Sequence, residues 1–198
     1  MAGLTHACRC GAVEIAVAVP SRRAGTRVTC YCADCQTAAR LCPEPDALLG
    51  PAGGTDIWQT TPDRLTLMRG AEHLEIRRLS PKGLYRWTAT CCETPLFNTL
   101  ERLGFPFVGL TLRPDEAGDA APVLGPVRAH AFTRFATPGA GAPSGDVRFA
   151  ATGAALMLRA LAATLAGRAG RTPLRRADGG PVAPVRVIDK AARDAARP

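Results

Sequence analysis

Eight cysteines dominate the chemistry open to this 198-residue sequence: Cys8, Cys10, Cys30, Cys32, Cys35, Cys42, Cys91 and Cys92. Their spacing decides what that chemistry is. Cys-x-Cys and adjacent Cys-Cys pairs bridge one another poorly, because a disulfide needs particular Cα separations. The N-terminus, MAGLTHACRCG, lacks a basic start followed by an apolar core, so no export signal is expected. The expected compartment is the cytoplasm, where thiols stay reduced. Clustered thiols there read as metal ligands rather than as four disulfides.

The densest run is Cys30-Tyr31-Cys32-Ala33-Asp34-Cys35. A strand ending at Cys30 and a tight turn after it can converge three thiolates on one tetrahedral zinc, with bonds of about 2.3 Å. Three protein ligands plus an open position is the pattern of a catalytic zinc. The competing reading is a closed structural site completed by Cys42 or by the distant Cys91. A weaker rival is a metal-free redox pair, Cys32 and Cys35. The second constellation is dispersed. Cys8-Arg9-Cys10-Gly11 comes early and Cys91-Cys92 late. Those four thiols can form a closed zinc site that ties the N-terminus to the end of a β meander, and such a site contributes directly to folding.

The elements that must position these thiols are mostly strands. Residues 12–19, AVEIAVAV, alternate strictly, with Val13, Ile15, Val17 and Val19 on one face. Further strands are expected at 26–29, 56–60, 65–69, 74–79, 84–88, 107–112 and 127–135. Gly70 and the Pro81-Lys82-Gly83 turn suggest antiparallel hairpins. A helical turn or two follows at 33–41. Residues 113–126, rich in Pro, Gly and Asp, read as loop. The fold class is therefore mainly β, in three parts: a zinc-binding domain over 1–135, a linker over 136–148, and a C-terminal helix with an arginine-rich, loosely ordered tail over 149–198. Trp58 and Trp87 are expected in the core or in a pocket wall.

The motif order Cys8-Arg9-Cys10-Gly11-Ala12-Val13, then Cys30-Tyr31-Cys32-Ala33-Asp34-Cys35-Gln36, then Cys92-Glu93-Thr94-Pro95-Leu96, resembles the glutathione-dependent formaldehyde-activating enzyme family, which also contains centromere protein V. The resemblance covers roughly residues 5–135. It implies an antiparallel β-tent fold with two zinc ions, one structural on Cys8, Cys10 and the late cysteine turn, and one catalytic on Cys30, Cys32 and Cys35. The chain departs from the family's late motif, Cys-x-x-Cys-Gly. Ala89 stands at its first position and Glu93 at its glycine. Either Cys91 fills the vacant ligand role, or the site holds three thiolates with a water or His6. Loss of the glycine implies a different turn.

Zinc on three thiolates is a weaker Lewis acid than zinc on three histidines, but it holds a thiolate well and can orient a carbonyl. The resemblance adds the partners, a small thiol such as glutathione and an aldehyde such as formaldehyde. The expected activity is that of a carbon–sulfur lyase forming or cleaving an S-hydroxymethyl thiol adduct. Arg27, Arg40 and Arg86 lie near the motifs and could bind the thiol's carboxylates. Asp34 reads as a turn residue rather than a proton shuttle, and His6, His73 and His130 as structural or exposed.

Charge offers the alternative. Of 25 basic and 17 acidic side chains, residues 136–198 hold 10 basic and 4 acidic, nearly all arginine. A non-catalytic, zinc-stabilised protein could use that tail to bind an anionic partner. Nucleic acid is not the expected partner. Nor is a membrane: no apolar run reaches about 18 residues, and the helix near 149–167 lacks the bulky aromatic anchors of a membrane-surface helix.

Overall fold

A computed structural model describes residues 3–102 and 105–198. The chain is mainly β, as the alternating patterns require. A three-stranded antiparallel sheet is formed by β1 (Gly3–Ala7), β2 (Glu14–Ala18) and, after an intervening excursion into a second sheet, β5 (Leu65–Arg69), in the order β1-β2-β5. The second sheet has eight strands. Its members are β3 (Thr26–Cys30), β4 (Thr55–Thr60), β6 (Leu74–Arg78), β7 (Tyr85–Ala89), β8 (Thr94–Thr99), β9 (Val108–Leu112), β10 (Ala129–Ala131) and β11 (Val185–Val187). Their order is β10-β3-β4-β9-β8-β7-β6-β11. All neighbours are antiparallel except the two edges, where β10 runs parallel to β3 and β11 parallel to β6.

Every residue of β7 and β9 is buried. Successive strand residues point to opposite faces, so both faces of the large sheet are covered there. One face carries Trp87, Phe97, Leu110 and Leu112, which join Val13, Ile15 and Val17 of the small sheet in one core. Trp87 stacks on Phe97 at 5.2 Å, and its Nε1 donates to the Thr99 hydroxyl at 3.0 Å. Both tryptophans thus belong to the core. The other face carries Arg86, Thr88, Asn98 and Thr111, and helix α1 (Ala33–Arg40) packs over it.

Four segments differ from the sequence reading. The expected loop at 113–126 contains helix α2 (Pro114–Leu124). Pro114 stands at its first turn, where a missing N–H costs nothing, Asp115 and Glu116 face the positive end of the dipole, and the Arg113 N–H donates to Glu116 Oε2 at 3.2 Å. β1 and β8 were not anticipated. Pro95 and the polar Asn98 and Thr99 hide β8, and the Thr5-His6 pair hides β1. The tail is also ordered. After helix α3 (Phe149–Leu165), β11 pairs with β6, the Ile188 N–H donates to Arg78 O at 2.8 Å, and helix α4 (Lys190–Ala195) follows, with the Arg193 guanidinium donating to Leu79 O at 3.3 Å.

Candidate metal centres and the pocket between them

The Cys8-Arg9-Cys10-Gly11 hook is the turn of the β1–β2 hairpin. The Cys8 N–H donates to Val13 O at 3.0 Å, the Gly11 N–H donates back to Cys8 O at 2.9 Å, and Gly11 takes φ 75°. Cys91 and Cys92 form the turn between β7 and β8. The two turns meet. The sulfurs of Cys8 and Cys10 lie 3.6 Å apart, Cys8 and Cys91 3.7 Å, Cys10 and Cys91 3.3 Å, and Cys91 and Cys92 3.9 Å. All four lie within 4.8 Å of one another. A tetrahedron with metal–sulfur bonds of about 2.3 Å has edges of about 3.8 Å, so the donor set fits one metal ion. His6 takes no part: it is buried, and its Nε2 lies 2.9 Å from Leu96 O. Glu93 adopts φ 55°. That is the left-handed region, which favours glycine over a residue with a side chain. Burial opposes ionisation of Cys92, but the Thr94 hydroxyl and the Cys10 backbone pull its pKa to about 6.

The second group is compact. Cys30 ends β3, Cys32 is the N-cap of α1, and Cys35 sits in the helix's first turn, where the Cys35 N–H donates to Cys32 Sγ at 3.3 Å. The Cys30 and Cys35 sulfurs are 3.8 Å apart, and all three lie within 4.8 Å of one another. Among the described residues no fourth ligand joins them; Cys42 donates to Ala38 O at 3.4 Å, and burial pushes its pKa to about 11. Gln36 locks the turn. It is fully buried, and its Nε2 donates to Tyr31 O and Phe135 O, both at 2.8 Å. The sequence marked it only as a motif neighbour.

Without metal, the three thiols share protons unequally. Hydrogen bonds from Cys30, then Cys32, hold Cys35 well below the usual thiol range despite its burial, with Arg86 adding. Hydrogen bonding with its two neighbours and burial raise Cys30. For Cys32 the Cys30 hydrogen bond lowers the pKa, but Cys35 and burial outweigh it, to about 11. Cys35 lies in the first turn of α1 and beside Arg86, and both favour a thiolate there.

Cys35 opens on a small cavity of about 40 Å³, whose walls include Cys42, Leu48, Arg77, Arg86, Asn98 and Ile188. Arg77 is neutralised by Glu93 at 3.2 Å and Glu75 at 3.8 Å. Among the described residues Arg86 has no such partner: its polar side-chain contacts there are Cys35 and Asn98 Oδ1, the latter at 3.4 Å. Arg27 does not line this cavity and pairs with Asp56 at 2.6 Å. Arg40 donates to Gln36 Oε1 at 3.3 Å, and Asp34 is exposed on α1. Ile188 brings the supposedly loose tail into the cavity wall. The alternation in Val185-Arg186-Val187 was the available signal for it.

The molecule is thus a mainly β protein with two cysteine groups, each able to hold a metal ion. It matches, over residues 2–186, a family of unknown function, DUF6151, and belongs to that family. No curated protein matches the chain. A crystal structure of a Rhodobacter sphaeroides protein, a structural-genomics target, aligns with 65% of this chain and 99% of its own, at 19% identity and a TM-score of 0.41. None of these comparisons points to the formaldehyde-activating family, so that resemblance rests on the cysteine motifs alone.

Proposed function

We propose that the chain is a zinc-dependent carbon–sulfur lyase that adds a small anionic thiol to an aldehyde, or reverses that addition. The observation that carries this reading is a three-thiol group with, among the described residues, no fourth protein ligand, opening on a cavity whose wall holds an arginine that none of the described carboxylates pairs. Cys30, Cys32 and Cys35 would hold the open zinc, and Cys8, Cys10, Cys91 and Cys92 a closed one. Bound at the open group, zinc supplies a Lewis acid that keeps a fourth thiol ionised near neutral pH.

The chain's own residues do the rest. Arg86, backed by Asn98, binds a carboxylate of a thiol such as glutathione. Leu48, Leu79 and Ile188 give the cavity an apolar wall that limits water around the reacting atoms. In the forward direction the thiol sulfur bonds to the aldehyde carbon, the carbonyl π pair moves to oxygen, and that oxygen takes the proton the thiol gives up. The S-hydroxymethyl adduct results, and cleavage reverses each step.

The test is zinc per chain by elemental analysis of reduced, untagged protein, beside the Cys30→Ser/Cys32→Ser/Cys35→Ser variant. Two zinc ions falling to one, in a variant that stays folded and loses adduct formation from glutathione and formaldehyde, supports the reading. A zinc content that survives the triple substitution overturns it.

A further inference from the structure

Helix α3 turns an uncharged face to solvent. Met157, Leu158, Leu161 and Leu165 are 57%, 67%, 54% and 79% exposed. Ala151, Ala154 and Ala162 are exposed beside them, while only Thr152, Ala160 and Ala163 are buried. The helix carries no acidic residue and a single basic one, Arg159. Side chains of this size forgo roughly 1.5–3 kcal/mol each by staying in water, and an uninterrupted apolar helix face marks an interaction site.

The rim of that face says what kind. Arg22, Arg23, Arg128, Arg148 and Arg159 line an open cleft of about 520 Å³ along one side of α3, with Leu158 at its edge and no acidic residue in its wall. Among the described residues none of the five pairs with a carboxylate. Arg159 donates to the Thr26 hydroxyl at 2.9 Å, but its Nε and Nη2 are buried without a partner. Burial, with Arg64 nearby, pushes the Arg159 pKa down, the mark of a cation that lacks its counter-ion.

A second copy of the chain fits poorly. Pairing two α3 faces offers neither arginine rim a carboxylate, since neither helix carries an acidic residue. A bilayer bearing anionic lipid fits both halves of the surface: the leucines enter the acyl boundary, and the arginines meet the lipid phosphates. The sequence hid this because Arg22, Arg23 and Arg128 lie far from the helix along the chain. The fold brings them to it and leaves Phe149, at its N-terminal end, 46% exposed.

We infer that α3 and the arginine cleft beside it form a docking surface for anionic phospholipid, with the helix lying in the membrane plane. The test is co-sedimentation of the full chain with phosphatidylcholine vesicles, with and without phosphatidylglycerol, and light scattering without vesicles. The expected result is binding only to the phosphatidylglycerol vesicles, weakened by salt. Arg128→Gln and Arg148→Gln each cut partitioning about fivefold, and Leu161→Ser/Leu165→Ser cuts it further while circular dichroism stays unchanged. Failure to bind the anionic vesicles overturns the inference. So does a dimer that the leucine variant dissociates, or a thermal shift with pyrophosphate in protein that ignores vesicles, which would assign the cleft to a soluble phosphate.

Discussion

Arg86 is the residue on which substrate recognition turns. It is buried, it faces the cavity, and it has no carboxylate partner among the described residues. A charge-assisted hydrogen bond contributes about 1.5–3 kcal/mol. Arg86→Ala is therefore expected to raise the KM or Kd for glutathione by roughly 10- to 150-fold, with zinc content unchanged. An unaltered affinity would remove Arg86 from the binding site. Glu93 makes the opposite kind of residue-scale argument. Its left-handed φ costs a non-glycine residue of order 1–2 kcal/mol, partly offset by its ion pair with Arg77. Glu93→Gly should leave stability equal or better by about 1 kcal/mol, measured by urea denaturation of the metal-loaded protein. Marked destabilisation would show that the ion pair outweighs the backbone strain.

At the scale of elements, what was legible followed from periodicity and punctuation. The 13-15-17-19 stripe is buried as the alternation demands, and the cysteine triplet sits on a strand end and a helix N-terminus as its spacing demands. What was not legible depends on distant partners. β8 carries no strand signal of its own but is flanked by β7 and β9, and β11 pairs with the edge that β6 offers. The meeting of the cysteine hook with the Cys91-Cys92 turn was an inference from chemistry, since nothing local brings them together. Close approaches are equally invisible. Gly70 has φ 82°, and a Cβ there would lie 2.3 Å from Ala12 O. Gly70→Ala should cost at least 1–3 kcal/mol and, because Ala12 adjoins the cysteine hook, loosen the four-thiol group; thermal melting and zinc content both report it. Asp146 pins the chain before α3 by accepting from the Thr133 N–H and hydroxyl at 2.8 and 3.0 Å. These bonds, the backbone ones first, hold its carboxyl below the usual range. Its contribution is complete above the unfolded carboxyl pKa near 3.9 and is lost as pH falls through the lower folded value. Asp146→Asn should flatten the melting temperature across that acidic window, and a profile identical to wild type would sink this assignment.

For the whole molecule, the two cysteine groups should differ in how much they hold together. The four-thiol group joins the turn of the small sheet to a turn of the large one, across 83 residues of chain between Cys8 and Cys91. The core lies between those sheets. A cross-link that closes a loop of this length removes roughly 4–5 kcal/mol of unfolded-state entropy, by analogy with a disulfide. The triplet spans only 5 residues between Cys30 and Cys35, and the same relation gives roughly 2 kcal/mol. In a chain of this size each kcal/mol moves Tm by about 2–4 °C. Cys91→Ser should therefore lower Tm by about 10–15 °C and Cys32→Ser by less than half as much, each measured with zinc in excess. Chelation should reproduce the larger effect and expose the face around Trp87 and Phe97 to a hydrophobic dye. Equal losses from the two substitutions would mean that the four-thiol group is not the clamp between the sheets, and the triplet would then have to be read as structural too.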